Sequence, residues 1–461
     1  MSYPSGRNAP ASTLGPAGQT YGNREPGECG TERTLAGLRE HQGSATPVPR
    51  HESTPTAEPE GVARRYALAG NSTLPRPADT GPAPGPSWQV TDCVTPPPAG
   101  TNSGSHSQRR QRRRDRYRRR RVLWKVSQRR RLRSCGRGTR DVVRIYRQEV
   151  DGGHRATAHG LMMCGSVWSC PVCAAHIRHA RSLDIEEGVR RHLAAGGGLL
   201  FLTLTLRHHR GERLHSLLDG LLLAQRSTFV GAPWKRAVER YGIVGRIRST
   251  EATYGDANGW HPHLHLLLFL DRPITDEQTD DLGAWLSDRW AANVARRGLL
   301  LPSQERGCVL EAVSSGEDVG RYLAKVQETA VGLEMARGDL KSSRPDRLLP
   351  FDILEAAGTG EAWAVRLWHE YEAATHGRRC IEWSRGLRDR LGMGEDREDS
   401  EIVTEDSVDQ ETDELVGVIA PRDWHSVCRT GLDAALLDAA ERAGTFGVDS
   451  VVALALERDG P

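Results

Sequence analysis

The segment Gly259-Trp260-His261-Pro262-His263-Leu264-His265-Leu266-Leu267-Leu268 constrains the chain more than any other stretch. His261, His263 and His265 are two residues apart, and Leu264, Leu266 and Leu268 occupy the alternate positions. In a β-strand, residues i, i+2 and i+4 share a face, so an extended backbone sends three imidazoles to one side and three leucines to a core on the other. A single strand histidine is usually a satisfied polar residue. Three on one face can converge on a divalent metal, for which neutral imidazole is a common ligand.

The neighbouring segments supply a framework for that strand. Leu199 to Leu206 is an apolar run after three glycines, which predicts a buried strand, and a helix follows from about Leu214 to Phe229. Ile243 to Thr253 alternates apolar and polar residues, Tyr254 to Gly259 forms a turn, and Trp260 to Leu270 resumes strand character. Together they predict an antiparallel hairpin. Thr275 or Asp276 caps a helix running to about Arg297, Cys308 to Val313 adds a strand, and Ser314-Ser315-Gly316-Glu317 opens a helix carrying Tyr322. This order predicts an α+β domain over residues 191–335, with helices packed on an antiparallel sheet. A helical extension is assigned to residues 336–392.

Glu251 lies across the hairpin from His263 or His265, where it adds a carboxylate oxygen. Two imidazoles and a carboxylate leave open positions on an ion, as a catalytic site requires, and a phosphodiester is the natural substrate. His261 is either a third ligand or a neighbour contacting the scissile phosphate. Further on, Asp318 and Tyr322 are four residues apart and Tyr322 and Lys325 three apart, so one helical face carries all three. Glu317 points elsewhere. Tyrosine, with a reference pKa of about 10, is a poor nucleophile at neutral pH unless a cation and a polarised phosphate lower the barrier. Lys325 supplies the cation. Asp318, one turn before the tyrosine, is placed to activate water or another nucleophile that resolves a second strand break.

Composition divides the rest of the chain. Residues 1–105 are rich in Gly, Pro, Ser, Thr and Ala without apolar periodicity, which predicts a disordered region. The net charge of +3 conceals a basic run between Arg109 and Arg133, with 14 arginines and Lys125 against Asp115 alone. Residues 106–134 read as an Arg-rich DNA-binding arm, with Arg109, Arg110, Arg112, Arg113, Arg114, Arg118, Arg119, Arg120 and Arg121 as phosphate contacts. Between Glu395 and Glu414 there are 11 acids against Arg397, read as an acidic linker over 393–416. A small module at 417–461 closes the chain. No stretch approaches the roughly 18 apolar residues of a membrane span, and no secretory signal is visible, which predicts a cytoplasmic protein.

Of nine cysteines, Cys164, Cys170 and Cys173 cluster. In a cytoplasmic protein such spacing suggests metal before disulfide, and Cys170-Pro171-Val172-Cys173 is a thiolate pair of the kind found in structural zinc knuckles. Cys164 is the third ligand. Cys135, or His176 behind it, is the fourth, giving a zinc-knuckle-like segment with a following helix at 135–190.

Taken in order, Phe201-Leu202-Thr203-Leu204-Thr205, the histidine strand and Tyr322-Leu323-Ala324-Lys325 resemble the three motifs of rolling-circle plasmid replication initiators, a branch of the histidine-hydrophobe-histidine endonuclease superfamily. The resemblance runs from about Cys135 to about Leu387. It implies a Mg²⁺- or Mn²⁺-dependent enzyme that cuts one strand at a plasmid's double-strand origin and joins the 5′ phosphate through Tyr322. The freed 3′ hydroxyl then serves a host polymerase, with a host helicase as a further partner. In one subgroup a carboxylate at the Asp318 position, generally glutamate, helps terminate replication. A conjugative relaxase or single-strand transposase would use the same chemistry on other DNA ends, and a zinc-containing DNA-binding regulator would use none of it.

Overall fold

The computed structural model describes residues 103–150, 152–313, 347–404 and 413–460. The region up to residue 102 and the segment with Asp318, Tyr322 and Lys325 lie outside the described residues. Those described form an α+β fold with two antiparallel sheets.

The larger sheet is built on β3 (Gly198–Thr205), β4 (Ile243–Gly255), β5 (Gly259–Leu270) and β6 (Cys308–Ala312), in the order β6-β3-β5-β4, with every pairing antiparallel. β7 (Arg347–Leu348) and β8 (Ile381–Trp383) both add to β4, so residues assigned to the helical extension also contribute to the sheet. Leu264, Leu266 and Leu268 are wholly buried on one face, against Leu200, Leu202 and Leu204 of β3. Helix α6 (Asp276–Ala295) covers them with Leu282, Leu286 and Trp290. Thr275 starts α6 through a capping box: its hydroxyl accepts from Gln278 N at 3.2 Å, and its own N–H donates to Gln278 Oε1 at 3.1 Å.

The histidine face of β5 continues into Leu267 and Phe269, which belong to a second core. Helix α3 (Pro171–Ala194) packs there, with His192 edge-on to Phe269 at 4.9 Å. The sheet is therefore covered on both faces. This fixes the strand register, because a one-residue slip would exchange leucines for histidines in the first core. Each fully buried leucine is worth roughly 1.5–3 kcal/mol.

The smaller sheet has the order β2-β1-β9, from β1 (Thr139–Val150), β2 (Gly153–Leu161) and β9 (Asp413–Ile419). Its inner residues Val143, Ile145 and Val416 pack on Trp424 and Val427 of one helix (Pro421–Thr430) and on Leu436, Leu437 and Val448 of another (Asp433–Asp459). The last helix kinks at Gly444, where φ is +53°, a left-handed conformation that favours glycine. The C-terminal module is thus completed by a hairpin from residues 139–161, whose paired residues, from Val143 with Ile419 to Gln148 with Asp413, are far apart in the chain.

The basic run, read from the sequence as an Arg-rich DNA-binding arm, is packed into the fold. It is helix α1 (Ser103–Val126), and acids from distant segments neutralise much of it. Arg120 and Asp433 are both wholly buried and 2.8 Å apart, and Arg121 reaches the same carboxylate at 2.7 Å. Arg113 donates to Glu441 at 2.7 Å, Arg113 and Arg114 both pair with Asp438, and Arg118 and Arg119 reach Glu355 at 2.9 and 3.0 Å. Self-repulsion along the helix is relieved by these partners, so the run packs instead of extending into water. Part of the acidic stretch is likewise built in: Asp396 and Asp399 bind Arg181 of α3, and Glu414 binds Arg147 at 2.6 Å.

Candidate active site

The β4–β5 hairpin register sets Glu251 directly opposite His263. His263 Nε2 lies 3.1 Å from Glu251 Oε2, and His265 Nε2 lies 3.8 Å from the same oxygen. Ligand atoms of Glu251, His263 and His265 all fall within 4.8 Å of one another, which is the spacing of a group able to hold a metal ion. Glu251 is buried, and its Oε1 has no hydrogen-bond partner. An orphaned buried carboxylate oxygen costs roughly 1–3 kcal/mol or more, so its persistence beside two imidazoles fits a cation-binding donor set.

Electrostatics hold the carboxylate ionised. Burial pushes the Glu251 carboxyl up, but its hydrogen bond with His263 and the charges of His263, His265 and buried Arg178 outweigh burial and leave it below the ordinary carboxylate range. His265 is further held by Thr203, whose Oγ1 lies 3.1 Å from Nδ1, and by the ring of Phe201 stacked at 5.3 Å. His263 Nδ1 faces the carbonyl of His261 at 3.4 Å.

His261 stands beside this group and outside it, its ring stacked on His263 with centroids 5.3 Å apart. Burial above all, then the charges of His263, His208 and Arg347, lower its pKa to about 3. His208, on the loop after β3, is a site residue that the sequence did not single out. Its Nε2 lies 2.9 Å from His261 Nδ1 and its Nδ1 lies 3.0 Å from the carbonyl of Asn258. The available signal was the pair His208-His209 immediately downstream of the first strand. Arg210 is exposed and its backbone abuts Gly259, while exposed Arg347 pairs with Gly255, so cations border this end of the hairpin.

A second group of donors lies elsewhere in the fold. Cys135, Cys164, Cys170 and Cys173 are all buried, with sulfurs within 4.8 Å of one another. Cys135 Sγ is 3.6 Å from both Cys170 Sγ and Cys173 Sγ, and Cys164 Sγ is 3.6 Å from Cys173 Sγ. Those separations are far beyond the roughly 2.05 Å of a disulfide. The fourth position is filled by Cys135, and His176 is not in the group. Cys135 precedes β1 and Cys164 follows β2, so the cluster ties both ends of that hairpin to the start of α3. Trp124 and Trp424 donate to the carbonyls of Cys135 and Gly136, each at 3.0 Å.

Fold and site together describe an α+β protein with a buried carboxylate–imidazole cluster on an antiparallel sheet. Residues 158–279 match a family model described as Replication protein. The chain is 34% identical over 345 residues to a Protein rep of Streptomyces lividans, covering 61% of this chain and 76% of that one. It is 30% identical over 292 residues to a Neomycin resistance protein of Streptomyces cyanogenus, covering 48% and 67% respectively. A Protein rep of Bacillus amyloliquefaciens is 33% identical over 123 residues, covering 26% and 34%. No solved structure matches the chain. The chain belongs to the Rep family of plasmid replication initiators.

Proposed function

We propose that this initiator is a site-specific nicking enzyme, which opens one strand of its plasmid's double-strand origin by tyrosine transesterification. The observation that carries the proposal is the convergence of His263 and His265 on Glu251 Oε2, at 3.1 and 3.8 Å, with the other carboxylate oxygen unpaired. Glu251, His263 and His265 would hold Mg²⁺ or Mn²⁺. Such an ion supplies positive charge to a non-bridging phosphate oxygen as negative charge builds there.

The remaining roles fall to side chains. Tyr322 is the nucleophile: its oxygen bonds to the phosphorus, the bond to the 3′ oxygen breaks, and that oxygen leaves as a hydroxyl that primes a host polymerase. Lys325 stabilises the phenolate, and Asp318 assists the second cleavage that ends a round. Thr203 orients His265, and Arg210 and Arg347 at the end of the hairpin bind backbone phosphates. In α1, DNA contact falls to Arg109 and Arg112, which stand outside the pairs with Asp433, Asp438, Glu441 and Glu355. The four cysteines hold a structural Zn²⁺, since four sulfurs bonded at about 2.3 Å around a tetrahedral ion lie about 3.8 Å apart. The protein acts in the cytoplasm on origin DNA, and a host helicase unwinds the duplex ahead of the polymerase.

Incubation with single-stranded origin DNA and Mn²⁺ tests the nucleophile. The parent should form a DNA-linked protein band and Tyr322→Phe should form none. A persisting band in the mutant refutes the assignment.

A further inference from the structure

The basic segment continues past α1, and the cations there carry an inference that rests on the DNA-binding reading above and deepens it. Within α1, Arg113, Arg114, Arg118, Arg119, Arg120 and Arg121 are engaged by Asp433, Asp438, Glu441 and Glu355. Arg130, Arg131 and Arg133 differ. They occupy a single helical turn, Arg130–Arg133, and all three are exposed. Among the described residues none of the three has an acidic partner.

The turn that carries them is firmly built. Leu132 is buried in the same core as Cys135, Cys170 and Trp168, which leaves its arginine neighbours facing outward. Ahead of the turn, the Ser127 hydroxyl donates to Glu372 Oε1 at 2.5 Å and accepts from Arg129 N at 3.0 Å, while Gln128 N donates to Glu372 Oε2 at 3.1 Å. Glu372 is 3% exposed with both oxygens engaged in this way, so it fixes the backbone and leaves the arginines un-neutralised. Behind the turn, Cys135 N donates to the Leu132 carbonyl at 3.2 Å, and Cys135 Sγ lies in the cysteine cluster. Like charges three residues apart, as in Arg130 and Arg133, destabilise a helix. A fold that holds them there gains nothing from their packing, whereas a polyanion would find its cations already placed, with only side chains left to order on binding.

The choice between duplex and single-stranded DNA follows from the aromatic ring at hand. Single strands are gripped by stacking bases on free aromatic faces. Trp124 offers none: its indole N–H donates to the Cys135 carbonyl at 3.0 Å, and the guanidinium groups of Arg137 and Arg120 lie 5.1 and 5.3 Å from its ring. Four residues rising about 1.5 Å each span about 6 Å, over which a duplex presents about four phosphates. We propose that Arg130, Arg131 and Arg133, fixed between Glu372 and the cysteine cluster, form a docking surface for the phosphate backbone of duplex DNA, read without regard to base sequence.

The test is fluorescence anisotropy of the full chain on a labelled duplex lacking the origin, without divalent ions, so that no cutting is involved. Each phosphate contact contributes about 0.9 to the slope of log affinity against log salt. Combining Arg130→Ala, Arg131→Ala and Arg133→Ala should therefore reduce that slope by about 2.7, and the parent's advantage over the variant should shrink about fortyfold between about 50 and 200 mM salt. The same three positions changed to Lys should keep the slope to within about 0.5, because the charge remains. A charge-matched control, Arg190→Ala with Arg240→Ala and Arg379→Ala, removes exposed arginines that pair with Glu187, Asp281 and Glu398, and should leave the slope at the parent value. An unchanged slope in the first variant overturns the proposal. So does an equal loss in the control, or a loss seen on single-stranded and not on duplex DNA. Failure of the DNA-binding reading has its own signature, since the parent would then bind no duplex at any salt, and both readings would fall together.

Discussion

Asp433→Ala is the substitution that most sharply tests whether the basic helix is part of the fold. Asp433 Oδ2 accepts from Arg120 at 2.8 Å, and Oδ1 accepts from Arg121 at 2.7 Å and from the Ala434 N–H at 3.0 Å. Both Asp433 and Arg120 are fully buried. Arg120 Nε and Nη1 already lack hydrogen-bond partners, and the guanidinium is otherwise held by the Tyr117 and Trp124 rings at 4.2 and 5.3 Å. Removing the carboxylate therefore leaves a buried cation with only aromatic faces for compensation. Breaking a buried pair on one side costs about 3–5 kcal/mol, a large part of the roughly 5–15 kcal/mol by which a domain is stable. Replacing both partners with apolar groups, Arg120→Met with Asp433→Leu, should bring stability back to within about 1 kcal/mol of the parent, because neither charge is then stranded. Urea unfolding followed by tryptophan fluorescence is the assay, since Trp124 and Trp424 flank this contact. A loss below about 1 kcal/mol in Asp433→Ala would refute the reasoning and return α1 to the status of a loosely held arm.

Three further outcomes follow from the site and its surroundings. Metal analysis of purified protein should find about one equivalent of zinc, lost when Cys170→Ser and Cys173→Ser are combined; zinc retained in that variant contradicts the four-cysteine site. Glu251→Gln replaces an ionised oxygen donor with a neutral amide and should weaken Mn²⁺ at least tenfold, about 1.4 kcal/mol, with unchanged affinity as the contrary result. His192, packed on Phe269, has its pKa lowered by burial, against the opposing effect of its hydrogen bond to Gly198. A histidine kept neutral in the fold contributes stability that is complete above the unfolded value of about 6.5 and is lost as pH falls below it, by up to about 1.4 kcal/mol per pH unit. Urea midpoints should therefore drop between about pH 7.5 and 5.5, and His192→Gln should flatten that drop.

The hairpin carrying the histidines was legible because its information is local. Alternation with period two in Ile243–Thr253 and Trp260–Leu270, with a turn-forming sequence between them, is enough to set Glu251 against His263. The cysteine cluster was legible for a different reason: thiols in a Cys-x-x-Cys pair have few other structural uses, and Cys135 supplies the fourth sulfur. What could not be read depended on partners far away in sequence. Arg120 and Asp433 are 313 residues apart, and nothing in the arginine run marks which of its members will be buried. The hairpin at 139–161 and the strand at 413–419 make one sheet only because each covers half of the same core. His208 was hidden for a related reason, since it is held by a backbone carbonyl in a turn 50 residues away.

The central claim is covalent chemistry at one tyrosine, and peptide mapping of the protein–DNA adduct addresses it most directly. Trypsin cuts after Arg321 and Lys325, so the adduct should yield the four-residue peptide Tyr322-Leu323-Ala324-Lys325 carrying a nucleotide through a phosphodiester. Mass spectrometry should find the phosphate on Tyr322 and on no other tyrosine. A nucleotide attached to a different residue, or an unmodified Tyr322 peptide from a preparation that has cut its DNA, would contradict the account.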